Sequence, residues 1–472
     1  MKVLLTGTTG YIGQRLLPVL LDAGHEVYCC TRDKNRFDTS RYESSAIKVL
    51  EVDFLKEETL SEIPEDIDVA YYLIHSMSVS IDEFEKMEEQ SAINFKNRLQ
   101  ETKVKQVIYL SGIVNEDKLS THLRSRKKVE DILASATFKL TALRAGIIVG
   151  SGSASFEIIR DLVEKLPVMI APKWLKTKSQ PLAVRNVIQF LSRVAMKPET
   201  YDKNYDIGGP EVLTYKEMLL KYAKVRRLRR TILDVPVMTP KLSSYWLYFV
   251  TSTSYKLAVN LVNSMKVDVV CRENNLYKLL DIELLTYEQA VKNAFRRIVQ
   301  QEVYSSWTDA LSSKALQTGI SKLVEVPTYG CYRDVRKRTL NDEEKTLNKI
   351  WSIGGKNGWY YADWLWGVRG FIDKLFGGVG LRRGRKDPVY ITPGESLDFW
   401  RVIYASKEDK RLLLYAEMKL PGEAWLEFKI RQNKLHQTAT FRPLGVPGRL
   451  YWFIVLPFHG LIFNGMIKKI AN

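Results

Sequence analysis

The sequence has few of the residues that build disulfide frameworks and metal centres. Its 472 residues include only four cysteines and five histidines. The cysteines, Cys29, Cys30, Cys271 and Cys331, show none of the spacings used by zinc or iron–sulfur sites. We therefore expect no disulfide-stabilised secreted domain and no metal site, and a reducing cytoplasm fits this cysteine usage.

Long apolar runs, internal repeats and low-complexity tracts are also missing. The chain starts directly with the strand-like segment Lys2–Leu5, without a charged leader and an apolar run behind it, so we expect no secretory signal. The apolar segment Leu450–Met466 is shorter than the roughly 20 residues that cross a bilayer. Four residues interrupt it, namely Pro457, His459, Gly460 and Asn464.

Positive charge is in excess over negative charge, and the excess is unevenly distributed along the chain. The net charge is +17, of which residues 1–300 carry +7 and residues 301–472 carry +10. The second segment also holds eight of the ten tryptophans. Because a chain of this length exceeds one ordinary core, we predict two domains, 1–300 and 310–472, with a substrate lobe at about 150–300 in the first.

A basic surface could attract nucleic acid, an anionic membrane or an acidic ligand, or it could simply be solvated. No nucleic-acid recognition motif accompanies the charge, so we expect no nucleic-acid partner. In Gly370–Lys386, four apolar residues (Phe371, Ile372, Leu375, Phe376) precede four basic ones (Arg382, Arg383, Arg385, Lys386). This segment could contact the inner face of a membrane as a peripheral anchor, or it could be an ordinary loop packed on its own domain.

Strand-like runs alternate with amphipathic helical patterns over the first 210 residues. This alternation predicts an α/β fold with a parallel sheet. The predicted strands are Lys2–Thr6, Glu26–Thr31, Ile47–Val52, Val69–Ile74, Gln106–Ser111 and Lys139–Ala145. Helices are predicted at Tyr11–Asp22, Phe84–Glu101 and Leu123–Ala134. From about 150 to 300 the pattern is irregular and mainly helical.

Three glycines, Gly7, Gly10 and Gly13, lie between the first strand and the first helix. In the dinucleotide-binding loop these positions serve a tight turn, a close approach of backbone to a pyrophosphate, and close packing of helix on strand. The helix N-terminus then supplies free N–H groups and partial positive charge to the phosphates. We predict a Rossmann-type domain whose loop residues bind the cofactor: Gly7, Thr8, Thr9, Gly10, Tyr11, Ile12 and Gly13.

The ends of the next strands give the remaining cofactor contacts. Arg32 follows the second strand, where a guanidinium would suit the 2′-phosphate of NADP, although Asp33 beside it leaves NAD open. Asp53 and Phe54 follow the third strand, on the adenine side of the site. Leu73 and His75, after the fourth strand, are expected under the nicotinamide half.

These motifs resemble the extended and atypical short-chain dehydrogenases/reductases, over roughly residues 1–300. The resemblance rests on the glycine spacing, Asp53, Tyr109-Leu110-Ser111-Gly112, Leu143-Arg144-Ala145-Gly146 and Pro181-Leu182-Ala183-Val184. It is strongest to the NmrA-like branch that includes complex I accessory subunits. It implies a nicotinamide cofactor and a catalytic Ser, Tyr and Lys.

The chain departs from that catalytic pattern. In the family frame Tyr-x-x-Ser-Lys-x-x-x-Glu, Ser125 and Glu130 match, but His122 occupies the Tyr position and Arg126 the Lys position. Ser111 matches the family serine. We predict Ser111 as the anchor of a substrate oxygen, His122 as the proton carrier and Arg126 as a clamp on ribose or substrate. The alternative is that this helix has lost its catalytic role.

Residues 310–472 are predicted to form an antiparallel sheet followed by one long C-terminal helix. This pattern resembles the helix-grip, START-like ligand-binding fold, which implies a binding module for an apolar or lipid-like ligand. Nine aromatic residues would then line an interior, or simply fill a core: Trp400, Tyr404, Tyr415, Trp425, Phe428, Phe441, Trp452, Phe453 and Phe458.

Two functions remain open from the sequence. One is an NADP(H)-dependent oxidoreductase or epimerase-like enzyme acting on an apolar or lipid-like substrate. The other is a non-catalytic protein that senses NADP(H) or supports an assembly. The oligomeric state is not predicted.

Overall fold

We describe the fold from a computed structural model of the chain. It describes residues 1–34, 46–74, 81–114, 121–171, 173–234, 267–299, 331–376 and 390–472, with isolated residues between them. The chain divides into two compact units, Met1–Thr251 with Tyr255–Ala310, and Ser252–Ser254 with Leu311–Asn472.

The first unit is built on a seven-stranded parallel sheet. Its strands are β1 (Lys2–Leu5), β2 (Glu26–Thr31), β3 (Ile47–Glu51), β4 (Val69–Tyr72), β5 (Gln106–Gly112), β6 (Lys139–Ala145) and β11 (Lys203–Ile207), the last numbered after four short strands given below. Their order in the sheet is β3-β2-β1-β4-β5-β6-β11. The order reverses direction between β1 and β4, where open α/β sheets bind their ligands.

Helices cover both faces of this sheet, as the apolar strand β4 requires. They are α1 (Gly13–Asp22), α2 (Ile81–Gln100), α3 (Thr121–Ala134) and α5 (Val184–Arg193), with α4 introduced below. One face buries Leu5, Leu16 and Leu191, and the other buries Tyr72, Phe95 and Leu133. The prediction of an α/β fold with a parallel Rossmann-type sheet is confirmed.

A smaller lobe follows the sheet and has its own apolar core around Phe156, Met218 and Tyr222. Its helices are α4 (Ala154–Lys165), α6 (Tyr215–Val225), α7 (Leu276–Leu279) and α8 (Tyr287–Val299). Short strands pair two by two: β7 (Ile148–Val149) with β10 (Leu182–Ala183), β8 (Val168–Ala171) with β13 (Thr231–Asp234), and β9 (Lys178–Ser179) with β12 (Leu213–Thr214).

The second unit contains a six-stranded antiparallel sheet in the order β14-β19-β18-β17-β16-β15. Its strands are β14 (Tyr332–Thr339), β15 (Ser396–Leu397), β16 (Trp400–Ser406), β17 (Arg411–Ala416), β18 (Gly422–Arg431) and β19 (Lys434–Pro443). Its helices are α9 (Glu343–Trp351), α10 (Asp363–Leu375) and α11 (Gly445–Ala471). The predicted antiparallel sheet and long terminal helix are confirmed.

Two elements of this unit differ from the sequence expectation. The edge strand β14 was not anticipated, because charged residues at five of its eight positions conceal the strand pattern. Helix α10 includes Gly370 to Leu375, the first part of the segment Gly370–Lys386 for which the sequence leaves an ordinary loop or a peripheral anchor open. Both are held by tertiary contacts, β14 through its pairing with β19 and α10 through buried Trp366.

Candidate functional site

The glycine loop closes against the end of β4 in a way that leaves no room for side chains. Gly7 has a φ of +64°, and a Cβ there would lie 2.5 Å from the Leu73 carbonyl oxygen. A Cβ on Gly13 would lie 2.3 Å from the Gly7 carbonyl oxygen, and one on Gly10 would lie 3.0 Å from the same atom. The loop therefore requires glycine at Gly7 and Gly13, which fits a cradle for a pyrophosphate.

Two threonine hydroxyls hold this loop through hydrogen bonds to backbone groups. Thr6 donates to the Tyr71 carbonyl oxygen at 2.9 Å and accepts from the Leu73 N–H at 3.0 Å. Thr8 donates to the Leu5 carbonyl oxygen at 2.9 Å. These bonds join the ends of β1 and β4. The first turn of α1 carries no acidic residue, so its positive end is available to an anion.

Tyr11 and Arg15 connect the loop to the segment behind β7. The Arg15 guanidinium lies 4.7 Å from the Tyr11 ring centroid and donates to the Ser151 carbonyl oxygen at 2.6 Å. The Tyr11 side chain is thus used in packing, and a cofactor contact by this residue would come from its backbone. No local pattern predicts the Arg15–Ser151 contact, since 136 residues separate the two partners.

At the end of β2, two charged neighbours differ in exposure to solvent. Arg32 is exposed, whereas Asp33 is 4% exposed. The Thr31 hydroxyl donates to the Asp33 carbonyl oxygen at 3.0 Å, which fixes the turn between them. A ligand at this strand end would meet the guanidinium before the carboxylate.

At the ends of β3 and β4, the predicted cofactor residues differ in how exposed they are. Asp53 is half-buried, and its Oδ1 accepts from the Leu55 N–H at 3.2 Å. Phe54 is buried, with its ring 5.5 Å from that of Phe95, so it belongs to the core under α2. Leu73 lies directly under Gly7, while His75 falls outside the described residues.

The end of β5 brings Ser111 close to Arg126 of α3. Arg126 Nη1 donates to the Leu110 carbonyl oxygen at 3.1 Å, and the Tyr109 hydroxyl donates to the Arg126 carbonyl oxygen at 3.3 Å. Ser111 is 3% exposed. His122 stands one turn before Arg126 in this helix, and its side chain lies outside the described residues.

Tyr109 lies within β5, two residues before Ser111, but it does not suit the role that the family gives to its catalytic tyrosine. Burial raises the pKa of Tyr109 to about 12, and the nearby charge of Arg126 lowers it by less than burial raises it. Burial also raises the pKa of Tyr72, whose ring packs edge-on against that of Tyr109. Neither phenol would release a proton near neutral pH.

Two buried polar pairs fix the position of α3. Ser125 donates to Glu88 of α2 at 2.5 Å. Arg144 of β6 donates to both carboxylate oxygens of Glu130, at 2.9 and 2.5 Å, and both residues are about 5% exposed. The two residues that match the family frame, Ser125 and Glu130, therefore hold the helix in place against the sheet.

The described residues contain no group of three or more histidine, cysteine, aspartate or glutamate side chains that could hold a metal ion. The glycine loop and the strand ends present instead backbone N–H groups, hydroxyls and a guanidinium. These are donors suited to phosphates and to sugar hydroxyls.

In the second unit, the expectation that nine aromatic residues line one interior is wrong. Trp400, Phe428, Phe441 and Trp452 are buried between the sheet and its helices. Tyr404, Tyr415 and Trp425 lie on the other face of the sheet. Phe453 and Phe458 are more than half exposed. Alternation along β-strands separates the two faces, and α11 exposes one of its sides.

The interior of the second unit also contains polar groups. Arg401 and Glu417 form a fully buried ion pair at 2.9 Å. Gln437 is 1% exposed, with both amide atoms buried without a hydrogen-bond partner among the described residues. His459 lies between Trp452 and Phe463, and burial lowers its pKa to about 4.

Comparisons with known proteins agree with this architecture. Residues 3–113 match the NAD dependent epimerase/dehydratase family, and residues 330–466 match a family described as a protein of unknown function, DUF2867. No curated protein sequence matches the chain.

Three solved structures share the fold of the first unit. A nucleoside-diphosphate-sugar epimerase from Staphylococcus aureus is 13% identical with a TM-score of 0.50, covering 62% of this chain and 100% of that one. The enzyme WbmG from Bordetella bronchiseptica, in complex with NAD, is 12% identical with a TM-score of 0.50, covering 65% and 96%. An epimerase from Methanothermobacter thermautotrophicus is 13% identical with a TM-score of 0.50, covering 64% and 92%.

The first unit has a Rossmann-type fold. The match to the epimerase/dehydratase family supports a relation to the short-chain dehydrogenases/reductases, whereas the NmrA-like branch stays a prediction. The START-like character of the second unit also stays a prediction, because the family matched there has no described function.

Proposed function

We propose that the protein is an NADP(H)-dependent enzyme of the short-chain dehydrogenase/reductase type, an oxidoreductase or an epimerase-like enzyme. The observation that carries this proposal is the cradle formed by Gly7 and Gly13, which faces the polar end of β5 across the switch point of the sheet. A bound nicotinamide would supply hydride transfer there.

The preference for NADP rests on Arg32. Its exposed guanidinium can meet a 2′-phosphate, and the adjacent carboxylate of Asp33, which would favour a free ribose hydroxyl, is buried. The glycine loop and the N-terminus of α1 would bind the pyrophosphate of either cofactor.

The proposed catalytic roles follow from charge and from the donors available. Ser111 would donate a hydrogen bond to a carbonyl oxygen of the substrate. His122 would release a proton to that oxygen as the carbon accepts hydride, since imidazole titrates near neutral pH without a neighbouring lysine. Arg126 would keep a positive charge near the ribose or the substrate, but could not itself act as an acid.

The substrate class is proposed as apolar or lipid-like, and nucleotide sugars are the alternative suggested by the described function of the Staphylococcus aureus relative. The two classes can be separated directly. Decanal would be offered with NADPH, and its reduction followed by the absorbance of the reduced nicotinamide. UDP-glucose would be offered with NADP⁺, which can accept hydride from the sugar and return it, and the reaction followed by the appearance of the epimer.

The decisive experiment compares His122→Ala with the unmodified protein. We expect turnover of the reactive probe to fall at least a hundredfold, while NADPH affinity changes less than twofold. The exposed Lys128→Ala on the same helix is the matched control. Unchanged turnover in His122→Ala would remove histidine from the mechanism.

A non-catalytic function is the second candidate, and one specific observation favours it. The Arg126 guanidinium already donates to the Leu110 carbonyl oxygen, as a structural residue would. If NADPH binds but no probe is turned over by the unmodified protein, NADPH sensing becomes the better description.

A further inference from the structure

One surface of the second unit exposes large apolar side chains in a way that core packing does not explain. On α10 and just after it, Trp364, Phe371 and Phe376 are between 59% and 71% exposed. On α11, Leu450, Phe453 and Ile454 are between 59% and 67% exposed. We refer to these six residues as the apolar face.

Helix α10 is amphipathic, with its apolar stripe turned outward. Trp364, Val368 and Phe371 follow the three- and four-residue spacing of one helix side, and all are exposed. The opposite side buries Trp366 together with two charged residues, Asp373 and Lys374. An ordinary surface helix has the reverse arrangement, so the outward stripe is adapted to an apolar environment.

Helices α10 and α11 contact each other at two places. Arg369 of α10 donates to the Tyr451 hydroxyl of α11 at 3.2 Å, and its guanidinium lies 5.8 Å from the Tyr451 ring centroid. Further along, the Trp366 and Phe463 rings are 6.2 Å apart. The exposed sides of α10 and α11 are therefore held in a fixed relation.

The charged residues near the apolar face indicate which kind of partner it can bind. Helix α11 contains no acidic residue, and its first turns expose Arg449. The only acidic residue between 364 and 376, Asp373, is turned inward and accepts from the N–H groups of Gly380 and Lys419 at 2.8 and 2.7 Å. In the sequence, the basic cluster Arg382, Arg383, Arg385 and Lys386 follows directly, outside the described residues.

Helix α11 is long and apolar enough to cross a membrane, with a mean hydropathy of 1.6 over its best window, of which 28% is buried. Its C-terminal half does not suit a span, because Met466 and Ile470 are fully buried in the core of the unit. Its exposed N-terminal half suits a helix that lies on a bilayer.

We propose that the apolar face docks the protein peripherally on an anionic phospholipid surface, such as the inner face of a cytoplasmic membrane. The aromatic and aliphatic side chains would enter the boundary between headgroups and acyl chains, and the exposed Arg449 would meet a lipid phosphate.

The test is sedimentation of the full chain with vesicles. Vesicles of phosphatidylglycerol and phosphatidylethanolamine should bind at least tenfold more protein than vesicles of phosphatidylcholine, and high salt should weaken that binding. The double variant Phe371→Glu/Phe453→Glu should lose at least tenfold in binding. The matched control is Leu279→Glu, an exposed apolar residue of the first unit, which should bind normally.

Several outcomes would overturn the proposal. These are absence of binding to both vesicle types, equal binding by the double variant, and conversion of a dimer to a monomer by the double variant without any vesicle binding. The circular dichroism spectrum and the NADPH affinity of the double variant should equal those of the unmodified protein. A change in either would show that the substitutions damage the fold. Because NADPH binds the first unit, failure of membrane docking leaves the proposed enzymatic function intact.

Discussion

Backbone carbonyl oxygens constrain the glycines of the phosphate loop, and the effect of this constraint can be measured residue by residue. A Cβ on Gly13 would meet the Gly7 carbonyl oxygen at 2.3 Å and the Thr8 Cα at 3.0 Å. By contrast, a Cβ on Gly367 or Gly460 would meet nothing within 4 Å. Substitution by alanine should thus be unfavourable at Gly13 and favourable at Gly367 or Gly460.

We predict that Gly13→Ala weakens NADPH binding at least tenfold, because α1 must move away from the loop that holds the phosphates. Gly460→Ala should raise the free energy of unfolding by about 0.5–1 kcal/mol, since alanine restricts the unfolded chain and fits the helix. Fluorescence titration with NADPH and urea unfolding would check the pair. Normal cofactor affinity in Gly13→Ala would contradict the proposed cradle.

Arg32 gives a second prediction at the residue scale. A charge-assisted pair with a 2′-phosphate contributes about 1.5–3 kcal/mol, so NADPH should bind about ten- to a hundredfold more tightly than NADH. Arg32→Ala should remove this difference while leaving NADH affinity unchanged. Lys34→Ala, an exposed basic neighbour, is the control. Equal affinities of the unmodified protein for the two cofactors would rule out the assignment.

At the scale of elements, α3 carries the proposed chemistry, and the sheet holds it through the buried pair Glu130–Arg144. Exposed ion pairs on the same helix, such as Lys127–Asp131, contribute far less because water screens them. The position of Arg126 at the end of β5 thus depends on a contact between α3 and β6.

We predict that Glu130→Leu lowers the free energy of unfolding by about 3–5 kcal/mol, because it leaves the Arg144 guanidinium buried without its partner. The double variant Glu130→Leu/Arg144→Met should recover at least half of that loss. Asp131→Ala should change stability by less than about 0.5 kcal/mol. Urea unfolding followed by circular dichroism measures all three, and a double variant no more stable than Glu130→Leu would contradict this account.

At the scale of the whole molecule, the second unit holds seven of the ten tryptophans, so its unfolding can be followed by fluorescence. Its stability should depend on pH through His459. Burial lowers the pKa of His459 to about 4, the charge of Asp334 opposes this, and Arg336 and Arg369 add to it. The ordinary pKa of histidine, about 6.5, applies to the unfolded chain.

Between these two pKa values the unfolded chain binds the extra proton, so stability should fall as pH decreases from about 6.5 to about 4 and level off below. The full loss from this group is up to about 3 kcal/mol. In His459→Phe, which keeps a ring between Trp452 and Phe463, this part of the pH dependence should disappear. Identical pH profiles for the two proteins would show that His459 is not buried in its neutral form.

The sequence by itself determined the alternation of strands and helices, the glycine loop and the division of charge and tryptophan between two segments. These are local properties: period-two and period-3.6 patterns and glycine positions are determined by neighbouring residues. That is why the predicted strands of the parallel sheet agree with β1 to β6 to within two residues at either end.

Only the tertiary structure decided which charged and aromatic side chains face inward. Asp33 is buried beside exposed Arg32, Glu130 pairs with Arg144 from another element, and the apolar stripe of α10 points outward. The sequence pattern of an amphipathic helix is the same whether its apolar side faces a core or a membrane. The distinction depends on which surface the rest of the fold covers, and contacts distant in sequence determine that.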